Sequence, residues 1–409
     1  MSFDFDAAVR APFRMQPGLR RMAPGAAHLT PLIPGSRHQR EKLAVLSAFA
    51  PQALLAREGF DAGPTLLALC RHAAAEHPRS WAWDGRRAHA LHLATAVEGD
   101  GDVVQTGTGR FGLGDEVARC LRGLPAPWRL AGLLSLAFAE DFAIVDARDG
   151  TVPWLAVALP SHWAPEEKVG RHFAQVHAPV ADNALLLKAS ASLVQLVSGG
   201  TPPPRPSGAG ADAPKVLLDA QADDAANRTS ADPAMAPGAP ARWERFVWTV
   251  TDHPRLHAHP DRVARPRWQA TPVDRAWFRT ERQTFIPLPD LGQAVFTIEV
   301  AVTPLAEAVA DAHRAAALHA AISSMSDEVL AYRGLDGVRE PLLSWLAARA
   351  GAAVGADGAA GPTDPPGTSG TIGPSAPAGV SGASGGASLS GCEASGRPAP
   401  PDTAPLVRP

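Results

Sequence analysis

Apolar residues recur at helical spacing through Arg37–Glu58 (RHQREKLAVLSAFAPQALLARE), where Pro51 marks a break. They do so again over Pro64–His77, where Leu66, Leu67, Leu69 and Cys70 form one face and the His77-Pro78 step ends the run. Helices are also predicted at 113–123 and 126–139, around the apolar run PWRLAGLLSLAFAE, with a short strand pair around Trp81–Leu93. After residue 140 the pattern turns extended. DFAIVDA (141–147) and TVPWLAVALPS (151–161) read as short strands separated by the turn signal Asp149-Gly150. Phe246, Trp248 and Val250 alternate with polar positions, and AVFTIEVAV (294–302) places Phe296, Ile298, Val300 and Val302 on one side. In AWFRTERQTFI (276–286), Trp277, Arg279, Glu281 and Gln283 share one face, with Phe278, Thr280, Arg282 and Thr284 on the other. A helical region, 305–349, ends at Gly351. Helices, strands and helices in this order predict an α+β fold with an antiparallel sheet.

Composition adds two low-complexity stretches. Gly and Pro, 37 and 40 residues, make about a fifth of the 409-residue chain, and much of the excess falls in 201–240 and 351–409. Neither stretch carries enough large apolar residues to offset the entropy of ordering. The first reads as an insertion within one sheet, since strands lie on both sides of it, and the second as a disordered tail. With 38 Lys+Arg against 41 Asp+Glu, the charge is nearly balanced and the basic residues are scattered, which gives no support for nucleic-acid binding. Three cysteines, Cys70, Cys120 and Cys392, with no CxxC pair, give no disulfide framework, zinc ribbon or covalent haem attachment. No segment approaches the ~18 apolar residues of a membrane span and the first thirty hold no signal-type run, so the expectation is a soluble, cytoplasmic protein with no membrane partner.

Candidate chemistry is sparse. GTGRFG (107–112) matches GxGxxG, but no second parallel strand with an acidic end follows, so a plain glycine-rich loop explains it better. His253, His257 and His259 share a segment with Pro254 and Pro260, which make a regular helix unlikely, so it reads as a solvated loop rather than a metal cluster. HExxH, GxSxG and P-loop signatures are absent. The richest segment is SHWAPEEKVGRHFAQVHAPVADN (161–183), read as a helix opened by Pro165, Glu166 and Glu167 and closed at Ala178-Pro179. On such a helix His172 and His177 lie about 140° apart and cannot share a metal. His177, beside Phe173, Val176 and Val180, has the setting of a single axial haem ligand, its Nδ1–H fixed by a carbonyl; the plainer alternative is a packing histidine. The charges of RTERQT could likewise be cross-strand pairs.

The string HWAPEEKVGRHFAQVHAPV, followed in order by FVWTVTDHPRLH (246–257) and FRTERQTFIPLPDLGQAVFTIEVAVTPL (278–305), resembles the signature blocks of the haem-dependent oxidative N-demethylase family. LAFAEDFAIVD (136–146) and AYRGLDGVREPLLSWLAAR (331–349) are similar to it as well, so the resemblance covers roughly residues 10–350. It implies a single domain with a PAS-like antiparallel sheet wrapped by helices and holding a b-type haem. The implied activity is oxidation of dimethylamine, or a similar small methylated amine, to a demethylated amine and formaldehyde. Dioxygen is the co-substrate, and electrons come from NADPH through FMN and iron–sulfur centres on separate reductase and ferredoxin-like components. His177 matches the HxPV histidine and is the expected proximal ligand. Arg279 and Glu281, from RxERQT, are the expected catalytic groups, and Lys168 and Arg282 the expected haem-propionate partners on charge complementarity. The alternatives are a PAS-type haem sensor without turnover and a haem-free binding module. The exact amine and the oligomeric state stay open.

Overall fold

The computed structural model describes residues 3–15, 18–200, 241–263, 267–268 and 271–357, with side chains to Gly351. The expected insertion at 201–240, and the expected tail beyond 357, lie outside the described residues. In chain order the elements begin with α1 (Phe5–Ala8), β1 (Arg20–Arg21), α2 (Arg37–Ala48), α3 (Ala50–Ala53), β2 (Leu54–Ala56) and α4 (Gly63–Glu76). Four short strands follow, β3 (Trp81–Trp83), β4 (Ala88–Ala90), β5 (Thr95–Val97) and β6 (Val103–Gln105). Next come α5 (Glu116–Gly123), α6 (Arg129–Ala137), β7 (Glu140–Asp146), β8 (Thr151–Ala156), α7 (Phe173–His177) and α8 (Ala184–Val197). The chain then runs through β9 (Trp243–Thr251), β10 (Trp277–Leu288), β11 (Gln293–Pro304), α9 (Leu305–Ala308), α10 (Ala312–Ser323), α11 (Asp327–Arg333) and α12 (Arg339–Asp357).

Seven strands form one antiparallel sheet in the order β1-β9-β10-β11-β7-β8-β2, and β3 to β6 form a second, four-stranded meander. The expected α+β class is therefore what the chain adopts. Register fixes the faces: Glu281 lies opposite Val247 and Val300, Gln283 opposite Arg245 and Ile298, and Arg279 opposite Thr249 and Val302. Directly paired residues point the same way and neighbours alternate, so these residues share one face. Arg282, Glu244 and Trp248 take the other. On the first face, Phe296 and Ala143 pack with Val176 and Trp163, and Phe285 and Ala294 with Leu196 and Val197. The segment carrying α7 and α8 thus lies over it. On the second face, Trp248, Val250 and Phe278 pack with α10, α11 and α12, while Phe142, Ile144 and Val295 join the core of α2, α4, α5 and α6.

The buried Lys42 of α2 ties that helical core to the sheet. Its Nζ donates to the carbonyls of Phe138 (3.1 Å) and Glu140 (2.6 Å) and lies 3.1 Å from Asp141. A lysine at 0% side-chain exposure survives because two carbonyls accept from its ammonium and the adjacent Asp141 carboxylate offsets its charge.

Several expectations change. The helix expected across 165–178 does not form as one piece. Gly170 adopts a left-handed conformation (φ 74), and residues 170–172 instead hydrogen-bond to Val152 and bridge Thr151 at the margin of β8. Only a 3-10 turn at Pro165–Glu167 and the short α7 remain helical. The Arg37–Glu58 run breaks earlier than Pro51, since α2 ends at Ala48, and its last part is the strand β2. The helix α8 was not anticipated. At the other end, α12 continues past Gly351 to Asp357.

Candidate functional site

His177 closes α7, whose start is fixed by a reciprocal cap. The His172 ring accepts from Ala174 N, and the Gln175 side chain accepts from His172 N. A carbonyl can only accept, so His177 Nδ1–H donates to Phe173 O at 2.8 Å. The ring is half-buried, and burial pushes its pKa down to about 4, with the nearby positive charges of Arg245 and Lys168 adding to the effect. At neutral pH it is therefore uncharged, with its lone pair on Nε2, and among the described residues nothing hydrogen-bonds that atom. A neutral imidazole with one nitrogen pinned by a carbonyl and the other free is the donor that haem iron requires.

Beneath α7 the sheet supplies a floor of mixed character. Glu281 is 8% exposed and its Oε2 accepts from Gln283 Nε2 at 2.6 Å. Ile298 and Val300, opposite Gln283 and Glu281, are buried and apolar. Arg245 stands opposite Gln283, and its charge is felt by both His177 and Tyr332. Tyr332, on α11, is 49% exposed. His177, Arg245, Glu281 and Tyr332 come from four separate elements; the charge of Arg245 acts on His177 and Tyr332, and that of Glu281 on Arg245 and Tyr332. Arg245 and Tyr332 escaped sequence reasoning, although the period-2 pattern of β9 already put Arg245 on the polar side of its strand.

The remaining expected site residues are placed differently. Arg279 is 1% exposed and spends its guanidinium on Ser161 Oγ (2.7 Å) and the carbonyls of Arg255 (2.8 Å), Leu256 (2.8 Å), Pro160 (3.2 Å) and Leu159 (3.4 Å). Although it shares a face with Glu281, it is a clamp between β10 and two loops, and at 1% exposure it is closed off from a substrate. Arg282 points to the opposite face, where it pairs with Glu244 (3.0 Å) and donates to Ala27 O (3.0 Å). That orientation takes it away from α7 and from any propionate there. Lys168 Nζ donates to Val176 O at 3.0 Å, which ties it to the turn bearing His177 and leaves two further N–H donors on the ammonium.

The histidine-rich segment 253–259 is not a solvated loop. His259 is 2% exposed and bonds Glu166 through Nε2 (3.0 Å) while Nδ1 accepts from Asp261 N, and His257 Nδ1 donates to Ala158 O at 2.7 Å. These bonds sew 252–262 to 158–166, while both ring nitrogens of His253 and Nε2 of His257 stay unbonded among the described residues. The His253 ring lies tilted against that of His162, ring centroids 5.2 Å apart, and burial keeps both neutral. A second cluster, His28, His72 and Glu76, has metal-like composition, but Arg242 Nη2 sits 3.4 Å from His28 Nδ1 and 3.7 Å from Glu76. A guanidinium occupies the place a cation would take. GTGRFG forms a turn in which Gly109 N donates to Gly114 O, and the strand before it, β6, belongs to the antiparallel meander. No described helix is long and apolar enough to cross a membrane.

Residues 234–343 match the family model described as haem-dependent oxidative N-demethylase, alpha subunit-like. The match spans β9, β10, β11 and the helices through α11, and so includes Arg245, Glu281 and Tyr332. It supports the family indicated by the sequence blocks, while His177 lies outside the matched range.

Proposed function

We propose that this chain, given the family its residues 234–343 match, is the haem-binding subunit of an oxidative N-demethylase, and that it removes a methyl group from a small amine such as dimethylamine, with release of formaldehyde. The observation that carries the reading is the state of His177: uncharged, pinned through Nδ1, with Nε2 unbonded among the described residues, on a segment that packs over the sheet face carrying Glu281. The five-strand core β9-β10-β11-β7-β8, with the His177 segment inserted between β8 and β9, is consistent with a PAS-like sheet.

In this reading His177 Nε2 binds the iron, Phe173 O holds the ring in the required tautomer, and Lys168 steadies the turn through Val176 O. A bound haem would supply the centre at which dioxygen is reduced by electrons from outside this chain. Glu281 draws a cationic amine: Gln283 holds its Oε2, and its Oε1 makes no hydrogen bond among the described residues. An amine N–H can donate to that oxygen, and the carboxylate can take up the proton when the amine must be neutral. Ile298 and Val300 keep water from the methyl group. An alpha subunit implies further subunits, and NADPH, FMN and iron–sulfur centres are assigned to them.

Visible spectra of the purified chain and of His177→Ala, ferric, ferrous and with carbon monoxide, test the reading. A Soret band that is lost or shifted in the variant, with dimethylamine-dependent formaldehyde release by the wild type, is expected. A wild type that stays colourless and takes up no added haem would sink it. Glu281→Gln is expected to lower both amine affinity and turnover at least tenfold, a loss of about 1.4 kcal/mol or more. Unchanged values for both would remove Glu281 from its role.

A further inference from the structure

Glu140 and Glu299 stand directly opposite each other where β7 pairs with β11, on the sheet face that also carries Arg282. Like charges so placed repel, and water does not screen them here, since Glu140 is 1% exposed. Glu140 Oε2 accepts from Thr30 N at 3.0 Å, but its Oε1 is sealed from solvent without a hydrogen bond, and so is Glu299 Oε2. Two other carboxylate oxygens are sealed in the same way, yet Asp115 Oδ1 has Arg119 at 3.3 Å and Asp141 Oδ1 has Lys42 at 3.1 Å. The charged groups packed around the glutamates are committed elsewhere. From α2, Lys42 serves the carbonyls of Phe138 and Glu140 and the Asp141 carboxylate, and His38 Nε2 bonds Val300 O. Arg282 of β10 pairs with Glu244 of β9, and Glu76 of α4 takes His28, His72 and Arg242. Among the described residues no cation is left for the two sealed oxygens. Burial and the charge of Glu299 accordingly hold the Glu140 carboxyl above the usual range, and Lys42 only tempers that shift.

Unpartnered oxygens on two directly opposed carboxylates are unpartnered only while both groups are ionised. One proton turns one of them into a donor and the other into its acceptor, so a single O–H···O bond satisfies both. We propose that Glu140 and Glu299 share one proton at neutral pH, and that the bond it makes is a pH-sensitive latch joining β7 to β11 and, through Glu140 Oε2, to the loop at Thr30. The proton belongs to the pair rather than to either residue. Its loss to solvent leaves two anions side by side and opens the latch. The pair lies on the sheet face opposite the one that α7 covers, so the inference does not rest on the haem reading.

The test uses the full chain as wild type, Glu140→Gln and Glu299→Gln, in which an amide N–H supplies the bond that the shared proton supplies in the wild type. Infrared spectra at pH 7 are expected to show a protonated-carboxyl C=O band in the wild type that both variants lose. A band that survives Glu299→Gln places the proton on Glu140 alone, and a wild type without a band has both groups ionised; either result overturns the proposal. So does a band that appears only after a chelator is added, because a bound cation would then fill the place of the proton. Stability gives a second readout. Above the ordinary carboxyl value of 4.5 the unfolded chain releases a proton that the folded pair keeps, so wild-type stability falls as the pH rises until the folded pair ionises. The unfolding constant of the wild type relative to Glu140→Gln should therefore rise by up to about tenfold per pH unit from pH 5 and then level off. A ratio that stays constant from pH 5 to 9 overturns the proposal. Hydrogen exchange at Thr30 N, corrected for the intrinsic effect of base, should lose about tenfold or more of its protection between pH 7 and 9 in the wild type and less in Glu140→Gln. Equal losses would show that the proton does not hold the loop, and would overturn the latch.

Discussion

Arg279 shows how a charged residue in a functional motif can serve the scaffold. Burial lowers its pKa to about 10, still well above neutral, so it stays a cation and feeds four carbonyls and a hydroxyl from loops 159–161 and 255–256. Removing it strands those acceptors in a sealed place. Arg279→Met should cost about 3–5 kcal/mol, the range for breaking a buried charged network, and Arg279→Lys less but not nothing, because three ammonium donors cannot reach five acceptors. Urea denaturation measures both, and a cost under ~1 kcal/mol for Arg279→Met would refute the clamp. The sequence showed that Arg279 and Glu281 share a face, since alternation in a strand fixes that. It could not show depth: the loops that bury Arg279 lie more than a hundred and about twenty residues away in the chain, and nothing local marks them. Arg282 illustrates the same limit, because its partner Glu244 was visible only as a strand residue and Ala27 not at all.

At the level of elements, the strands were legible and the His177 segment was not. β7 to β11 follow the alternation of apolar residues closely, and the Asp149-Gly150 turn stands where expected. The helix expected over 165–178 had good local signals, but residues 170–172 find backbone partners on β8, and a pairing of that kind leaves no trace in one-dimensional periodicity. The unanticipated α8 does carry a helical signal, in the apolar-rich run ALLLKASASLVQLV. The turn and the site are mechanically linked through Gly150. Its φ of 70 suits glycine, and a methyl group there would come 2.5 Å from His172 Nε2, on the ring that caps α7. Gly150→Ala should therefore cost about 1–2 kcal/mol through backbone strain and the disturbed cap. It should also weaken ligand binding at His177. Gly170→Ala, with only Arg57 atoms at 3.7 Å, meets strain without collision and should leave binding nearer to wild type. Equal effects of the two variants on binding would break the link between the turn and the site.

Over the whole molecule, the histidines set the response to acid. Burial is the leading cause that lowers His162 to about 2 and His253 and His177 to about 4, and it lowers His28, His92 and His257 in the same sense. A histidine depressed in the folded state takes up its proton first in the unfolded chain, near pH 6.5. Between that value and its folded pKa the unfolded chain binds more protons, so stability present above pH 6.5 is lost as the pH falls. Each such group contributes up to about 1.4 kcal/mol per pH unit within its window. Glu140 opposes the trend, since burial and the nearby Glu299 raise its pKa, and the folded chain binds that proton first. One acid against several histidines leaves the histidines dominant between pH 6.5 and about 4.5, above the range where the depressed carboxylates Asp146 and Asp252 begin to matter. Unfolding free energy from denaturant titrations should thus be lower at pH 5 than at pH 7. His253 is the place to probe this, because both its ring nitrogens are sealed without a partner and its ring packs against His162. His253→Phe removes a titrating group and no hydrogen bond, so it should cost little at pH 7 and flatten the slope between pH 7 and 5. A variant whose slope matches wild type would show that His253 is charged or solvated in the native protein, and would move the origin of the acid sensitivity elsewhere.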